Sequence, residues 1–348
     1  MSPASDRPDP EPPLVLLDTA PQPVGRIFTP DTRATFEQRF RVVDCGGDPD
    51  RFDALLPEAF AVVGQTDLPA ARLERATRLR AVLNVEGNFY PNVDYPTAFA
   101  RGVRVLGCGP AYAQAVAEYA LGLALDLARG ISREDRAFRA GRERYLGDGN
   151  ADAVLLRGAD VGLIGLGNLG RALLPLLAPF RPRVRVFDPW LPDAVLAEAG
   201  VEPAGLDQVL GDSRFVFVLA AVTSENSEGG RLLDAAALDR LPAGARVVFV
   251  SRAAMTDYDA LLDRVEAGRF LAAVDVWPDE PVPADARARR LEGLVLSAHR
   301  AGGIPAAFAE IGELVLDDLT LLARALPPVR MQPAAPELVG RYRNRPAG

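Results

Sequence analysis

Residues 160–170 read DVGLIGLGNLG, and this stretch decides the fold. An apolar run, VGLI, leads directly into Gly165, Gly167 and Gly170, and a helical pattern, NLGRALLPLL, continues from there. This is the strand, turn and helix context in which a glycine fingerprint binds a dinucleotide. The first glycine permits a tight turn, the second lets backbone amides reach the pyrophosphate, and the third lets helix and strand pack closely. The positive end of the helix dipole attracts the phosphate charge.

An acidic residue follows the fingerprint at a suitable distance. Asp188 lies 18 residues beyond Gly170, at the end of the apolar run VRVFD. A carboxylate there accepts hydrogen bonds from the adenosine ribose and repels a 2′-phosphate, so the sequence favours NAD over NADP. Asn168 and Leu169, which open the helix, belong to the same predicted site. The alternative is that the glycines only form a turn and that Asp188 caps it.

Outward from this stretch, short apolar runs alternate with amphipathic ones, which predicts parallel sheets covered by helices. Five such runs come before residue 110, namely LVLL, FRVV, FAVVG, LRAVLN and VRVLG. A second series begins at ADVGLIGLG and closes with LVLSAH. The sequence therefore predicts an α/β protein with two Rossmann-like, doubly wound domains and a cleft between them.

The boundaries of these domains follow from two long helical patterns. Residues 113–129 have apolar side chains at helical spacing and read as a buried helix that joins the domains. A second pattern begins at Pro305 and is long enough to return to the first domain. We predict a discontinuous, flavodoxin-like substrate domain at 1–112 and 305–348, with a disordered or extended leader at 1–12, and an NAD-binding domain at 113–304. The tail beyond Pro327 is expected to be irregular.

Composition excludes several classes of protein. The 348 residues are 49% hydrophobic, which is enough for two cores, and the formal net charge of −8 repels nucleic acid and anionic membranes. No apolar run has the length of roughly 18 residues that a membrane span needs, and no signal peptide is evident, so a cytoplasmic protein is expected. Cys45 and Cys108 lack metal-ligand spacing; we expect two buried, reduced thiols and no metal site.

His299 is the only histidine, and it follows the apolar run LVLS. The carboxyl ends of strands in an open parallel sheet carry ligand sites, and imidazole suits proton transfer near neutral pH. Glu280, in the proline-rich run DVWPDEPVP, is placed to orient the ring and to favour its protonated form. Arg252, after the run ARVVFVS, offers a planar fork that holds a carboxylate by two hydrogen bonds. Taken singly, each residue has an ordinary structural alternative.

The sequence resembles the D-isomer-specific 2-hydroxyacid dehydrogenase family from about residue 50 to residue 325. The matching segments are AVAEYALGLALDLARG, GLGNLGRAL, the stretch from VSRAAMTDYDALLDRVEAGRF to DVWPDEPVP, and SAHRAGG. The resemblance implies a hydride transfer between NAD(H) and a small 2-hydroxy or 2-oxo acid. It also implies a homodimer built through the nucleotide domain.

The resemblance assigns roles to individual residues. It implies that Arg252 binds the substrate carboxylate, that His299 is the acid and base, and that Glu280 pairs with His299. It places Asp275 near the nicotinamide carboxamide. The remaining residues that it places at the cofactor are Val222, Thr223, Ser251 and Gly302, and those that it places at the substrate are Glu86, Gly87 and Asn88.

Three segments depart from the family pattern. The segment from Leu219 to Thr223 lacks the usual His-x-Pro element, so the wall beside the adenosine is expected to differ. Ala253 follows Arg252 where glycine is usual, and a positive φ there would be strained.

The substrate loop is the third departure and reads NVEGNFY at 84–90. Glu86 is expected to disfavour diacids and phosphorylated acids, while Phe89 and Tyr90 either pack over the substrate side chain or pack under the loop with Glu86 facing solvent.

Two other functions stay open. The C-terminal-binding-protein corepressors resemble this family and keep its catalytic trio, so an NAD(H)-sensing binding protein is one alternative. An enzyme that acts on a substrate other than a hydroxy acid, such as phosphite, is the other.

Overall fold

The apolar runs of the sequence form short strands. The protein is described by a computed structural model at residues 11–228 and 230–343, so the predicted leader lies almost wholly outside the described residues. The strands, in chain order, are β1 (Leu14–Asp18), β2 (Arg41–Asp44), β3 (Ala61–Gly64), β4 (Ala81–Asn84), β5 (Arg104–Gly107), β6 (Asp160–Ile164), β7 (Arg183–Phe187), β8 (Glu202–Pro203), β9 (Phe215–Val218), β10 (Ala245–Phe249), β11 (Phe270–Val274), β12 (Leu294–Leu296) and β13 (Gln332–Pro333).

Amphipathic stretches between the strands form the helices. In chain order these are α1 (Val24–Ile27), α2 (Pro30–Arg39), α3 (Pro49–Leu55), α4 (Ala70–Arg75), α5 (Tyr95–Ala100), α6 (Gly109–Arg129), α7 (Ile131–Arg139), α8 (Asn168–Leu177), α9 (Asp193–Glu198), α10 (Leu206–Asp212), α11 (Ser224–Ser227), α12 (Ala235–Asp239), α13 (Tyr258–Glu266), α14 (Pro305–Ala323) and α15 (Pro336–Val339). Short 3-10 helices lie at Leu56–Glu58, Leu146–Gly149, Ala178–Phe180, Ala253–Met255 and Arg287–Arg290.

The strands form two sheets. In the first, the order is β13-β5-β4-β3-β1-β2, with parallel pairing except between β13 and β5. The five parallel strands thus have the flavodoxin-like order 2-1-3-4-5. In the second, the order is β12-β11-β10-β9-β6-β7-β8, parallel throughout, which is the doubly wound order of dinucleotide-binding domains with one strand added. The prediction of two parallel-sheet α/β domains is confirmed.

The chain divides into two units. Unit 1 takes in the described residues up to Ala111 together with Pro305–Gly340, and unit 2 takes in Tyr112–Ile304 together with the described residues from Arg341. The prediction placed the whole tail in the first domain, and this is wrong for Arg341–Arg343, which hydrogen-bond to unit 2. The tail is also less irregular than expected, since it contains β13 and α15.

The two helices that suggested the boundaries are present. α6 begins at Gly109, four residues before the predicted segment, and continues across the division between Ala111 and Tyr112. α14 packs on α1 and α2 of unit 1, as a helix returning to the first domain must.

Alternating side chains of β9 fill the space on both faces of the second sheet. Phe215 and Phe217 belong to an apolar cluster that includes α6 and α8. Val216 and Val218 belong to the opposite cluster, which includes α13. Burial on both faces explains why this strand reads as a continuous apolar run rather than as an alternating one.

Cys45 and Cys108 are buried, as predicted. Burial raises the pKa of the Cys45 thiol to about 11. Within residues 11–228 and 230–343, no group of three His, Cys, Asp or Glu side chains is placed to hold a metal ion. None of the helices described in those ranges combines the length and the apolar character needed to cross a membrane.

Candidate active site

The glycine turn between β6 and α8 has the shape that a dinucleotide requires. Gly165 has a φ of +96°, and a Cβ there would lie 2.8 Å from the Cα of Ala220. A Cβ on Gly170 would lie 2.7 Å from the carbonyl oxygen of Gly165. A Cβ on Gly167, the N-cap residue of α8, would have no neighbouring atom within 4 Å. The first and third glycines are therefore needed for packing, and the second leaves open space at the helix N-terminus where a pyrophosphate fits.

Asp188 directly follows β7 and is bonded to the glycine turn. Its Oδ2 accepts a hydrogen bond from the backbone N–H of Leu166 at 2.8 Å, and its Oδ1 accepts one from Trp190 at 3.0 Å. The capping role that the sequence allowed is thus present. Each carboxylate oxygen has a second lone pair and the side chain is half-buried, so capping leaves acceptor capacity for a ribose hydroxyl.

The three predicted catalytic residues follow strands that lie side by side. Arg252 follows β10, Glu280 follows β11 and His299 follows β12. The backbone N–H of Asp275 donates to the carbonyl of Phe249 at 2.9 Å, and that of His299 donates to the carbonyl of Asp275 at 2.7 Å. These bonds extend the sheet beyond its strands, so the segments that carry the three side chains start from one edge.

His299 and Glu280 form a bonded pair. The Nδ1 atom of His299 lies 2.8 Å from Oε2 of Glu280, and Oε1 of Glu280 accepts a hydrogen bond from the backbone N–H of Trp277 at 2.9 Å. The side chains are 31% and 36% exposed. An ionised carboxylate only accepts, so Nδ1 carries a hydrogen in this pair and Nε2 is the nitrogen available to exchange a proton.

The backbone of His299 is held in an uncommon conformation. Its φ is +50°, in the left-handed region that few residues other than glycine adopt. Asp275 holds the loop there, because its Oδ1 accepts from the N–H of Arg300 at 2.9 Å and its Oδ2 accepts from the N–H of Ala301 at 3.1 Å. The hydroxyl of Ser297 also donates to Asp275, and the hydroxyls of Ser297 and Tyr119 lie 2.7 Å apart.

These bonds give Asp275 a part in holding the loop of His299, whereas the resemblance places it near the nicotinamide carboxamide. At 1% exposure its carboxylate has little surface open to a nicotinamide, and both of its oxygens are engaged by the loop that carries His299. We interpret Asp275 as a positioning residue. Sequence reasoning missed Trp277, Ser297 and Tyr119, because their part in the site depends on contacts between segments far apart in the chain.

Arg252 has an extended backbone, with φ −143° and ψ 142°, and its Nη1 donates to the carbonyl of Ser251 at 2.9 Å. The 3-10 helix Ala253–Met255 begins directly after it, with the negative φ that such a helix requires. The alanine that replaces the usual glycine is consequently not strained. Arg252 as a whole residue is half-buried.

Four other predicted cofactor residues are engaged by the protein itself. The hydroxyl of buried Ser251 donates to the carbonyl of Ala220 and so ties together the segments that follow β10 and β9. A Cβ on Gly302 would lie 3.3 Å from side-chain atoms of Tyr112 and Val116, so this glycine lets α6 approach. Val222 and Thr223 are buried, and their segment is hydrogen-bonded to residues 341–343.

The predicted substrate loop lies in unit 1. Phe89 and Tyr90 are buried there, and the ring of Phe89 packs edge-on to Tyr95 at 6.5 Å, so the aromatic side chains pack under the loop. Glu86 does not face solvent. It is only 7% exposed, and its Oε2 accepts a hydrogen bond from the Tyr90 hydroxyl at 3.0 Å. Gly87 and Asn88 are half-buried at the tip of this loop.

Comparison with known proteins shows what the chain resembles. The sequence profile described as "D-isomer specific 2-hydroxyacid dehydrogenase, NAD binding domain" matches residues 121–301. A crystal structure of a phosphoglycerate oxidoreductase from Rhizobium etli is 41% identical, with a TM-score of 0.83, and the match covers 93% of this chain and 98% of that one.

Curated proteins similar to this chain are named as dehydrogenases or reductases. A D-3-phosphoglycerate dehydrogenase from Mycobacterium bovis is 31% identical over 73% of this chain and 47% of its own length. A glyoxylate reductase from Korarchaeum cryptofilum is 27% identical over 75% of this chain and 78% of its own. The chain thus spans about half the length of the curated phosphoglycerate dehydrogenases that it matches. The protein belongs to the D-isomer specific 2-hydroxyacid dehydrogenase family, because the profile matches more than half of the chain, the glycine turn is present and the likeness covers nearly the whole Rhizobium chain.

Proposed function

We propose that this protein is an NAD-dependent dehydrogenase that interconverts a small 2-hydroxy acid and the corresponding 2-oxo acid. The observation that carries the proposal is the His299–Glu280 pair, joined at 2.8 Å and held by the extended edge of a dinucleotide-binding sheet. When bound, the nicotinamide supplies the hydride acceptor or donor.

The residues of this chain divide the remaining work. Arg252 binds the substrate carboxylate through two charge-assisted hydrogen bonds and so fixes the position of the reacting carbon. Nε2 of His299 donates a proton to the carbonyl oxygen in reduction and takes it from the hydroxyl in oxidation. Glu280 stabilises the imidazolium, and the N–H of Trp277 keeps Glu280 in place. Electrostatic stabilisation and positioning of the substrate, rather than a covalent intermediate, accelerate the reaction.

The proposed cofactor site is built from the glycine turn and Asp188. Gly165, Gly167 and Gly170 shape it, Asn168 and Leu169 open the helix toward the pyrophosphate, and Asp188 accepts from the adenosine ribose. The matched family profile is that of an NAD-binding domain, which agrees with this assignment.

Removing the charge of Asp188 should relax the preference for NADH. In Asp188→Asn the amide oxygen can still accept from the N–H of Leu166, so the bond to the glycine turn is kept. The bond from the N–H of Trp190 is lost, because the amide nitrogen is not an acceptor, and the repulsion of a 2′-phosphate disappears. We expect the ratio of kcat/KM for NADPH to that for NADH to rise by about 10- to 100-fold, as removal of a nearby like charge in a partly screened site would give. Asp193→Asn, an exposed acid of the same unit, is the control. An unchanged ratio would contradict the role of Asp188.

The proposed substrate carries one carboxylate. Glu86 is buried in the loop that the resemblance assigns to the substrate. Its negative charge would repel a second anionic group of a substrate bound to that loop, and the repulsion is strong where the dielectric constant is low. The relatives named for phosphoglycerate give the rival expectation. A screen of glyoxylate, pyruvate, hydroxypyruvate, oxaloacetate and 3-phosphohydroxypyruvate, with NADH and NADPH, decides between them.

The outcome of this screen tests the function as well as the substrate class. Turnover of monocarboxylates at the highest kcat/KM supports the proposal, and highest turnover of the phosphorylated acid overturns the substrate class alone. Tight NADH binding without turnover of any acid would favour the NAD(H)-sensing alternative. The screen should be repeated with phosphite, because turnover of that ion would favour an enzyme that acts on a substrate other than a hydroxy acid.

We also propose a cytoplasmic homodimer. The buried thiols of Cys45 and Cys108 fit a reducing compartment. In the part of the chain that the structure describes, α7 has no buried residue, although it carries Ile131 and Phe138, and Leu155 further along is also exposed. Apolar side chains gathered in one surface segment commonly mark a protein interface.

Charged substitutions test this interface. Phe138→Glu combined with Leu155→Glu should convert a dimer to a monomer, because burying two unpaired carboxylates in an interface costs more than a contact of ordinary size gains. Light scattering coupled to size-exclusion chromatography measures the mass. Val329→Glu, at an equally exposed apolar position of unit 1, should leave the dimer intact. A wild-type monomer, or a double variant that stays dimeric, would contradict the proposal.

A further inference from the structure

The last described residues, Arg341–Arg343, form a strap on unit 2. Tyr342 pairs with Thr223 in an antiparallel bridge. The backbone N–H of Ser224 donates to the carbonyl of Arg341 at 2.8 Å, and that of Arg343 donates to the carbonyl of Val222 at 3.0 Å. The strap is therefore fixed by main-chain bonds to the segment that follows β9.

Side chains add to this attachment on both sides of Tyr342. Arg341 lies 3.6 Å from Glu225, and Arg343 lies 2.5 Å from Glu228. The ring of Tyr342 packs edge-to-face on Trp190, with centroids 5.7 Å apart and an angle of 74°. Burial raises the pKa of the Tyr342 hydroxyl.

The contacts of Tyr342 place it beside the glycine turn. Thr223 follows β9 and Trp190 follows β7, and these strands flank β6, from which the glycine turn leaves. Trp190 is also only two residues from Asp188, whose carboxylate accepts from the N–H of Leu166 within that turn. The ring of Tyr342 contacts Trp190 and its backbone pairs with Thr223, so the residue lies at the Asp188 side of the dinucleotide site, which is the side of the adenosine.

On the β9 side, residues 220–222 supply no aromatic ring. The segment from Ala220 to Val222 has only small side chains, so a base next to it would find little to pack on. Trp190 and Tyr342 are both half-buried, and an edge-to-face pair covers only one face of one ring. The remaining ring surface suits the π-face of a purine.

We propose that Tyr342, carried by the strap, forms with Trp190 the wall on which the adenine of the cofactor packs. The inference rests on the proposed function, since it adds a residue to the same cofactor site. It makes the strap a determinant of affinity for the adenosine half and leaves the nicotinamide half to other residues.

Binding of half-cofactors tests the wall. Calorimetry gives the Kd of ADP-ribose, which contains the adenosine, and of reduced nicotinamide mononucleotide, which lacks it. We expect Tyr342→Ala to weaken ADP-ribose by about ten-fold, in the lower part of the range for stacking of a base on a protein ring, and to leave the mononucleotide unchanged. Tyr342→Phe should bind ADP-ribose as the wild type does, and Trp190→Leu should repeat the effect of Tyr342→Ala from the other strand.

Phe180→Ala controls for general loosening of the fold. It removes a half-buried ring from the same unit at the opposite end of α8, so it should lower the thermal midpoint without changing the Kd of ADP-ribose. Equal affinity of Tyr342→Ala and wild type for ADP-ribose would overturn the proposal, as would tighter binding by the variant, which would make the strap a cover instead of a wall. If wild type bound no ADP-ribose at all, the proposed function itself would fall.

Discussion

Replacing His299 by asparagine is expected to lower kcat for a 2-oxo acid by about 10²- to 10⁴-fold, the range that general acid catalysis contributes. The affinity for NADH should stay close to that of the wild type, because the glycine turn and Asp188 lie on other strands of the sheet. Stopped-flow measurement of NADH oxidation gives the rate, and NADH fluorescence gives the affinity.

The sequence offers a second route to the same residue. Because the chain has one histidine, diethylpyrocarbonate can modify only one imidazole per chain. Activity should therefore fall in proportion to the fraction of chains in which that imidazole is modified. Glu280→Gln should keep the protein folded but slow the reaction, since the imidazolium loses its charged partner. A His299→Asn enzyme with undiminished kcat would remove His299 from the chemistry.

Arg252→Met is expected to lower kcat/KM for the 2-oxo acid by about 10³-fold, because two hydrogen bonds to a charged carboxylate are lost. Arg252→Lys should recover only part of this, since an ammonium is a point charge without the planar fork. Arg183→Met, which removes an exposed ion pair at the start of β7, is the matched control and should be near wild type. An Arg252→Met enzyme with an unchanged KM and kcat would show that another group binds the carboxylate.

Much of the second unit could be predicted from local sequence. The strand, glycines, helix and acid from Asp160 to Asp188 are adjacent in the chain, so their pattern survives in a single sequence. The ends of β10 and β12 could be found in the same way, because an apolar run is followed by a charged or titratable residue. His299 and Glu280 are 19 residues apart in the chain, which is a smaller separation than that of most residues paired between strands. The family resemblance also points to their contact.

Contacts between distant segments were harder to foresee. Nothing local in the tail shows that Tyr342 pairs with Thr223, and a Pro- and Arg-rich sequence alone predicts irregular structure there. Asp275 looks like any acid at the end of a strand, and only the three donors that reach its carboxylate show that it holds the loop of His299. In the substrate loop, Phe89 and Tyr90 had two reasonable placements, and packing against Tyr95 and Gly107 decides between them.

The protonation state of His299 in a complex with a substrate analogue is the most direct measurement of the proposed chemistry. Oxamate, which resembles a 2-oxo acid but is not reduced, is added to the NADH complex of protein with isotope-labelled histidine at about pH 8, where an ordinary imidazole is neutral. Nuclear magnetic resonance then reports on His299 alone. We predict imidazolium signals that appear with oxamate and are absent in Arg252→Met. A neutral imidazole in the wild-type complex, with oxamate demonstrably bound, would contradict the assignment of His299 as the acid.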